Sequence, residues 1–308
     1  MQLHRYKLHG LRVASEFPLP ELPETPDDSS EVVFKLGTVP DTIPHIGVTT
    51  EGGLISEDRA LITVPDVAKF LVERGFSVTV ELAANADVGL MRFYLLGAAS
   101  VSLLFQRGEI PFHAGAARKG DGALALLGFS MSGKSTLCGA LSQRGWQLLT
   151  DDRLLLRKSE RGYLAVPSVP VLNLTTASAH SIGLREDRLL RSTTNYSKRI
   201  YRGDKRHLAE SASLRALIFL EWHAGATCIE GVDPFEALTC LREQVNYESH
   251  LRVLGREDAF FELASSLALT VPAFRLKRPK SFDALPEAVH AIETLYDGLA
   301  HRHMMDVR

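Results

Sequence analysis

Residues 128–135 read GFSMSGKS and follow directly on the unbroken apolar run Ala123-Leu124-Ala125-Leu126-Leu127. A short apolar run closed by a glycine reads as a buried strand. Two glycines separated by four residues, then Lys and Ser at the start of a helix, form a phosphate-cradling loop. The geometry explains the residue types. Gly128 and Gly133 permit torsions and close approaches that a Cβ forbids. Successive backbone N–H groups make an anion nest, and the helix opened by Lys134 adds its positive end. Lys134 reaches β- and γ-phosphates, and the Ser135 hydroxyl can ligate Mg²⁺. The expected nucleotide-binding set is Gly128, Ser130, Met131, Ser132, Gly133, Lys134, Ser135 and Thr136.

Downstream, the helix from Lys134 to about Arg144 ends at Gly145, and Trp146–Thr150 reads as another buried strand closed by Asp151-Asp152. Carboxylates at a strand end beside a phosphate loop hold Mg²⁺ directly or through water. Two in a row can divide the work: one handles the metal, and the other accepts the proton of an attacking hydroxyl. The metal set is therefore Ser135, Asp151 and Asp152. Adjacent residues of a regular strand face opposite ways, so both aspartates enter the site only if the strand has ended there. Upstream, Ile110–Ala116 (IPFHAGA) is a short strand, and Lys119-Gly120-Asp121-Gly122 is a turn. His113 is placed at the end of that strand. A histidine there is ordinarily structural, and it becomes catalytic if neighbouring parallel strands carry it beside Asp151 or Asp152. The candidate catalytic group is His113, Lys134, Asp151 and Asp152.

Residues 185–206 carry Arg185, Arg188, Arg191, Lys198, Arg199, Arg202, Lys205 and Arg206, opposed by Glu186, Asp187 and Asp204. Such a run is either a solvated face or a lid that neutralises phosphates or docks an acidic substrate. The whole chain, 308 residues with a net charge of −2, gives no reason to expect nucleic acid as a partner. Three widely spaced cysteines, with no CxxC, point to neither a disulfide framework nor a zinc site, and fit a reducing cytoplasm. The N-terminus lacks the apolar core of a signal peptide. Val88–Leu104, interrupted by Arg92, falls short of the roughly 20 residues of a membrane span and reads as a buried helix, so no membrane partner is expected.

Residues 1–87 read as a β-rich N-terminal domain. Glu31–Leu36, Ala60–Val64, Val67–Val72 and Phe76–Leu82 are its apolar runs, although Val67–Val72 also fits a helix capped by Asp66. Residues 88–308 form the second domain. Its remaining elements are a hairpin of Leu154–Arg157 with Tyr163–Val166, a late core strand at Leu214–Leu220, and a helix opened by Pro234 behind an Asp233 cap. Two helices, near Glu257–Leu269 and Ala284–Leu299, close the chain.

FHAGA at 112–116, GFSMSGKSTL at 128–137 and RGWQLLTDD at 144–152 together resemble the kinase domain of HPr kinase/phosphorylase. They are more similar still to the HPr-kinase-like proteins of bacterial peptide-modification pathways, including lasso-peptide precursor kinases. The resemblance covers about residues 108–155 and extends loosely to the C-terminus. It implies an α/β fold with a phosphoenolpyruvate-carboxykinase-like P-loop core. It also implies ATP, Mg²⁺, and a seryl hydroxyl of a peptide or small protein as acceptor. His113, Lys134, Ser135, Asp151 and Asp152 would form the active centre. HPr kinase relatives assemble into oligomers, which makes a homo-oligomer an expectation. Met131 stands where these relatives usually have a third loop glycine, and the glycine-rich downstream signature of the bifunctional HPr enzymes is absent. A nucleotide-binding regulator without turnover and a kinase of a small-molecule hydroxyl are the other two readings.

Overall fold

A computed structural model describes residues 3–49, 52–185, 189–192, 198–202 and 210–306. Over these residues it is a mixed α/β protein with three sheets. The chain divides into two compact units, residues 1–111 with 245–262 and residues 112–244 with 263–308.

In the first unit the N-terminal strands are β1 (His4–Leu8), β2 (Leu11–Ser15), β3 (Val32–Leu36), β4 (Gly47–Val48) and β5 (Leu54–Ile55). They are followed by β6 (Arg59–Val64), β7 (Ala68–Glu73) and β8 (Ser77–Leu82). The eight pair in the order β1-β2-β3-β8-β7-β6-β5-β4, parallel from β2 through β3 to β8 and antiparallel elsewhere. Val67–Val72 is thus strand rather than helix. Ala68, Phe70 and Val72 alternate into the core, and Asp66, with φ 59°, turns the chain between β6 and β7. Arg74 and Gly75, at φ 52° and 72°, make the next turn with the two consecutive left-handed residues that a tight hairpin requires.

The long apolar segment is α1 (Val88–Tyr94), a π-helical turn at Leu95–Ala99 that breaks at Gly97, and α2 (Ser100–Gln106). Its 19 residues are long and apolar enough to cross a membrane by length and composition, which corrects the expectation that the stretch is too short. Met91, Leu95, Leu104 and Phe105 are among its buried side chains, and in this unit the π-helical turn lies against β6 and β7 and α2 against β7. The boundary expected at 87/88 therefore lies inside the first unit, whose N-terminal part runs to Pro111.

The second unit opens with the hairpin β9 (Phe112–Lys119) and β10 (Gly122–Leu127). After the loop come α3 (Lys134–Gln143), β11 (Gln147–Thr150), β12 (Arg153–Ser159) and β13 (Gly162–Val166). Every residue of β10 is buried, the signature of a strand flanked on both sides and covered on both faces. β14 (Val171–Thr175), α4 (Thr176–Ser181), β15 (Leu189–Ser192) and β16 (Lys198–Arg202) follow, and these three strands form a small antiparallel sheet ordered β14-β16-β15. The 11-residue strand β17 (Ala212–Trp222) then runs parallel to β10, and β18 (Cys228–Val232) leads to α5 (Pro234–Arg242). The Asp233 carboxylate caps α5 by accepting from the Phe235 and Glu236 amides.

The chain returns to the first unit for α6 (Glu248–Val253), enters α7 (Glu257–Thr270) and ends with β19 (Ala273–Arg278) and α8 (Leu285–Asp306) in the second. β19 runs parallel to β17, with β18 antiparallel on its far side. Within the second unit, α3 and α8 pack on the sheet through Leu137, Leu141, Leu124, Leu126, Val289 and Ile292. β9, β10 and β17 thus bring three strand ends to the loop that leaves β10.

In the first unit, His250 of α6 is buried, its Nε2 lies 2.8 Å from Ser102 Oγ, and its Nδ1 has no partner. Burial draws its pKa from 6.5 down to about 4, so folding favours the neutral ring. The associated stability is complete above pH 6.5 and is lost as pH falls towards 4, by at most about 3 kcal/mol. Denaturant titrations at pH 7 and pH 4.5 should show this slope in the wild type and its loss in His250→Gln.

Candidate functional site

The loop between β10 and α3 carries three left-handed or near-left-handed residues: Gly128 (φ 150°), Met131 (φ 67°) and Gly133 (φ 90°). Gly133 caps α3, and a Cβ there would lie 2.2 Å from Arg278 Nη2, so only glycine fits. Met131 adopts its torsion without that freedom, and its side chain is 74% exposed. A left-handed L-residue costs roughly 1–2 kcal/mol, so Met131→Gly should raise stability by up to about 1 kcal/mol after the extra chain entropy of glycine is subtracted. Chemical denaturation checks this, and a destabilised variant would mean that the methionine side chain holds the loop. Ser130 and Phe129 are exposed, and Ser132 is buried. Ser135 and Thr136 are half-buried in the first turn of α3, and the Ser135 hydroxyl has no protein partner among the described residues.

Lys134 is buried, and its ammonium is turned back on the loop. Nζ donates to the carbonyl oxygens of Gly128 at 2.5 Å and Phe129 at 3.2 Å, and lies 3.0 Å from His113 Nε2. An ammonium has only donors to offer, so Nε2 supplies the lone pair and the ring proton sits on Nδ1. Nδ1 lies 2.9 Å from Asp152 Oδ1, and Asp152 Oδ2 lies 3.1 Å from an Arg153 guanidinium nitrogen. Burial opposes the charge on Asp152. The Arg153 guanidinium, the His113 ring and the Lys134 ammonium outweigh it and hold this carboxyl well below the ordinary carboxylate range. One imidazole and two hydrogen bonds separate the carboxylate from the ammonium, which keeps the two charges within about one Debye length of 10 Å.

Antiparallel rather than parallel pairing makes this meeting. In the β9–β10 hairpin Ala114 faces Leu127, and in the β9–β12 pair His113 faces Arg153. His113 is therefore the second residue of β9 rather than its last, placed at the mouth of the loop by two antiparallel registers. Asp151 and Asp152 form the bend between β11 and β12, and their side chains diverge. Asp152 joins His113. Asp151 is buried, and its Oδ2 accepts from the Asn173 amide at 2.8 Å. It is close enough to α3 that, after burial, its charge helps push the Cys138 thiol well above its usual range.

Three residues far along the chain complete the loop's surroundings. Gln244 is buried, its Oε1 accepts from the Gly128 amide at 3.0 Å, and its carbonyl accepts from the His113 amide at 2.6 Å. Trp222 Nε1 donates to the Met131 carbonyl at 3.2 Å, and Arg278 Nη2 donates to the Ser132 carbonyl at 3.1 Å. No local pattern in the sequence marks these three.

Buried cations at the loop, a glycine-only helix cap and an unengaged serine hydroxyl at the first turn of α3 fit a polyphosphate with a hard cation. No group of three or more His, Cys, Asp or Glu suited to a metal occurs among the described residues, so the protein ligands would be supplemented by phosphate oxygens and water. In the basic segment, residues 186–188, 193–197 and 203–209 lie outside the described residues, so Arg188, Lys205 and Arg206 of the lid expectation do too.

No family model matches the chain, and no curated protein matches it in sequence. Among solved structures it is similar to the Hpr(Ser) kinase/phosphatase from Coxiella burnetii, at 14% identity over 64% of this chain and 97% of that one, with a TM-score of 0.30. A likeness at that level leaves the functional reading to the residues themselves.

Proposed function

We propose that the protein is an ATP-dependent kinase that transfers the γ-phosphoryl group to a serine hydroxyl of a peptide or small protein. The observation that carries this reading is the hydrogen-bonded series Lys134–His113–Asp152 at the mouth of a glycine-framed phosphate loop. A pure nucleotide sensor has use for the loop and the lysine, but none for a carboxylate-oriented imidazole beside them. The core would be the phosphoenolpyruvate-carboxykinase-like P-loop architecture that the sequence resemblance implies.

The geometry supports a division of roles. Lys134 leaves the Gly128 and Phe129 carbonyls and neutralises the β- and γ-phosphates, and the loop amides hold the remaining phosphate oxygens. That move frees His113 Nε2, whose lone pair takes the proton as the acceptor oxygen attacks the γ-phosphorus and the bond to the ADP oxygen breaks. Asp152 keeps the ring in the Nδ1–H form and stabilises the imidazolium that results. With both oxygens engaged by His113 and Arg153, Asp152 is better suited to this role than to metal binding. Ser135 and Asp151 would hold Mg²⁺, which supplies charge neutralisation to the phosphates when bound.

A precursor peptide of the lasso class is the acceptor named by the resemblance, and the cytoplasm, where ATP is supplied, is the proposed compartment. Incubation with γ-labelled ATP and serine-containing peptides tests the reading. Label on serine is the expected result. Tight nucleotide binding with no transfer to any peptide would favour a regulator, and transfer only to a free metabolite would favour a small-molecule kinase.

A further inference from the structure

Arg278, at the end of β19, is 3% exposed. Its guanidinium donates to the Ser132 carbonyl, lies 4.1 Å over the Trp222 ring, and leaves its Nε without a partner. No carboxylate among the described residues pairs with it. Burial lowers its pKa only to about 10, so it stays charged at neutral pH. A buried cation without a counter-ion costs stability, and an apolar residue of the same volume is ordinarily as good or better in such a place. The other arginine of the same strand shows the contrast: Arg275 is paired with Glu221 and Glu236. Arg278 is aimed at the glycine that caps α3, within 2.2 Å of where a Cβ of Gly133 would be.

We propose that Arg278 is a positioning residue of the phosphate site, a buried cation whose counter-charge is the anion that the loop binds. The inference rests on the reading of the loop as a polyphosphate site. Trp222 shares the task. The indole N–H holds the Met131 carbonyl while the guanidinium holds the next one, Ser132. Consecutive carbonyls fixed on one side of the loop leave the backbone amides committed to the other, where an anion is received. The ring also covers the guanidinium face and keeps water from screening it.

Calorimetric titration of the full chain with inorganic pyrophosphate, and separately with Mg²⁺–ATP, tests this against thermal midpoints. Arg278→Met should weaken both ligands by at least about tenfold while the midpoint stays level or rises. Arg278→Lys should recover part of the loss, since it keeps the charge without the planar fork. Should Arg278→Met not fold, Arg278→Gln carries the same test, because it keeps an N–H for Ser132 without the charge. Wild-type affinity in the uncharged variants overturns the inference, and so does a lower midpoint with unchanged affinity. Wild-type protein that binds neither ligand removes the nucleotide reading itself, and the inference with it.

Discussion

Replacing Lys134 by alanine or methionine is expected to lower phosphoryl transfer by at least about 10³-fold, the scale on which a preorganised charge at a reacting phosphate is felt. Among the described residues the lysine is the one ammonium at the loop, and it is already desolvated, so its charge would act on bound phosphates with little screening. Its ammonium donates to two loop carbonyls and to His113. These bonds place it within side-chain reach of the position the phosphates would take. Methionine keeps the volume and removes the charge, which separates electrostatics from packing. Steady-state transfer assays with both variants check this, and activity within tenfold of wild type would refute the assigned role.

Asp152→Asn is expected to lower the turnover number by about 10²–10⁴-fold with a much smaller effect on nucleotide affinity. The carboxylate accepts the Nδ1 proton of His113 and so presents the Nε2 lone pair to the loop. An asparagine can donate to Nδ1 instead, moving the ring proton to Nε2 and closing the base. Because its neighbours hold Asp152 well below the ordinary carboxylate range, it stays ionised from pH 8 to pH 5. Any loss of rate across that window therefore belongs to another group. Rate–pH profiles and nucleotide titrations on both proteins measure this. An equal loss in affinity and turnover would move Asp152 from the base to the binding apparatus.

The part of this site that is legible in the sequence is the part written in one continuous stretch. A run of five apolar residues, a glycine-framed loop and a helix closed by Gly145 announce strand, loop and helix, because each signal acts within a few residues. Even the strain is local: Met131, in place of a glycine, takes the left-handed torsion the loop requires. The meeting of His113 with Asp152 depends on register across two antiparallel pairs, which residue types do not reveal. The divergence of Asp151 from Asp152 depends on where a bend falls between two strands. Gln244, Trp222 and Arg278 reach the loop across 116, 91 and 146 residues of chain. β19, which carries Arg278, mixes cations with apolar residues and has no clean alternation of burial, so it does not stand out as a strand.

A crystal structure of the protein with Mg²⁺ and a non-hydrolysable ATP analogue is the decisive test of this site. The β- and γ-phosphates should lie inside the 128–135 loop, with Lys134 Nζ transferred to them from the Gly128 carbonyl and His113 Nε2 facing the side of the γ-phosphorus opposite the ADP oxygen. A triphosphate bound elsewhere on the chain, or one in the loop with Lys134 still on its own carbonyls, would contradict that arrangement.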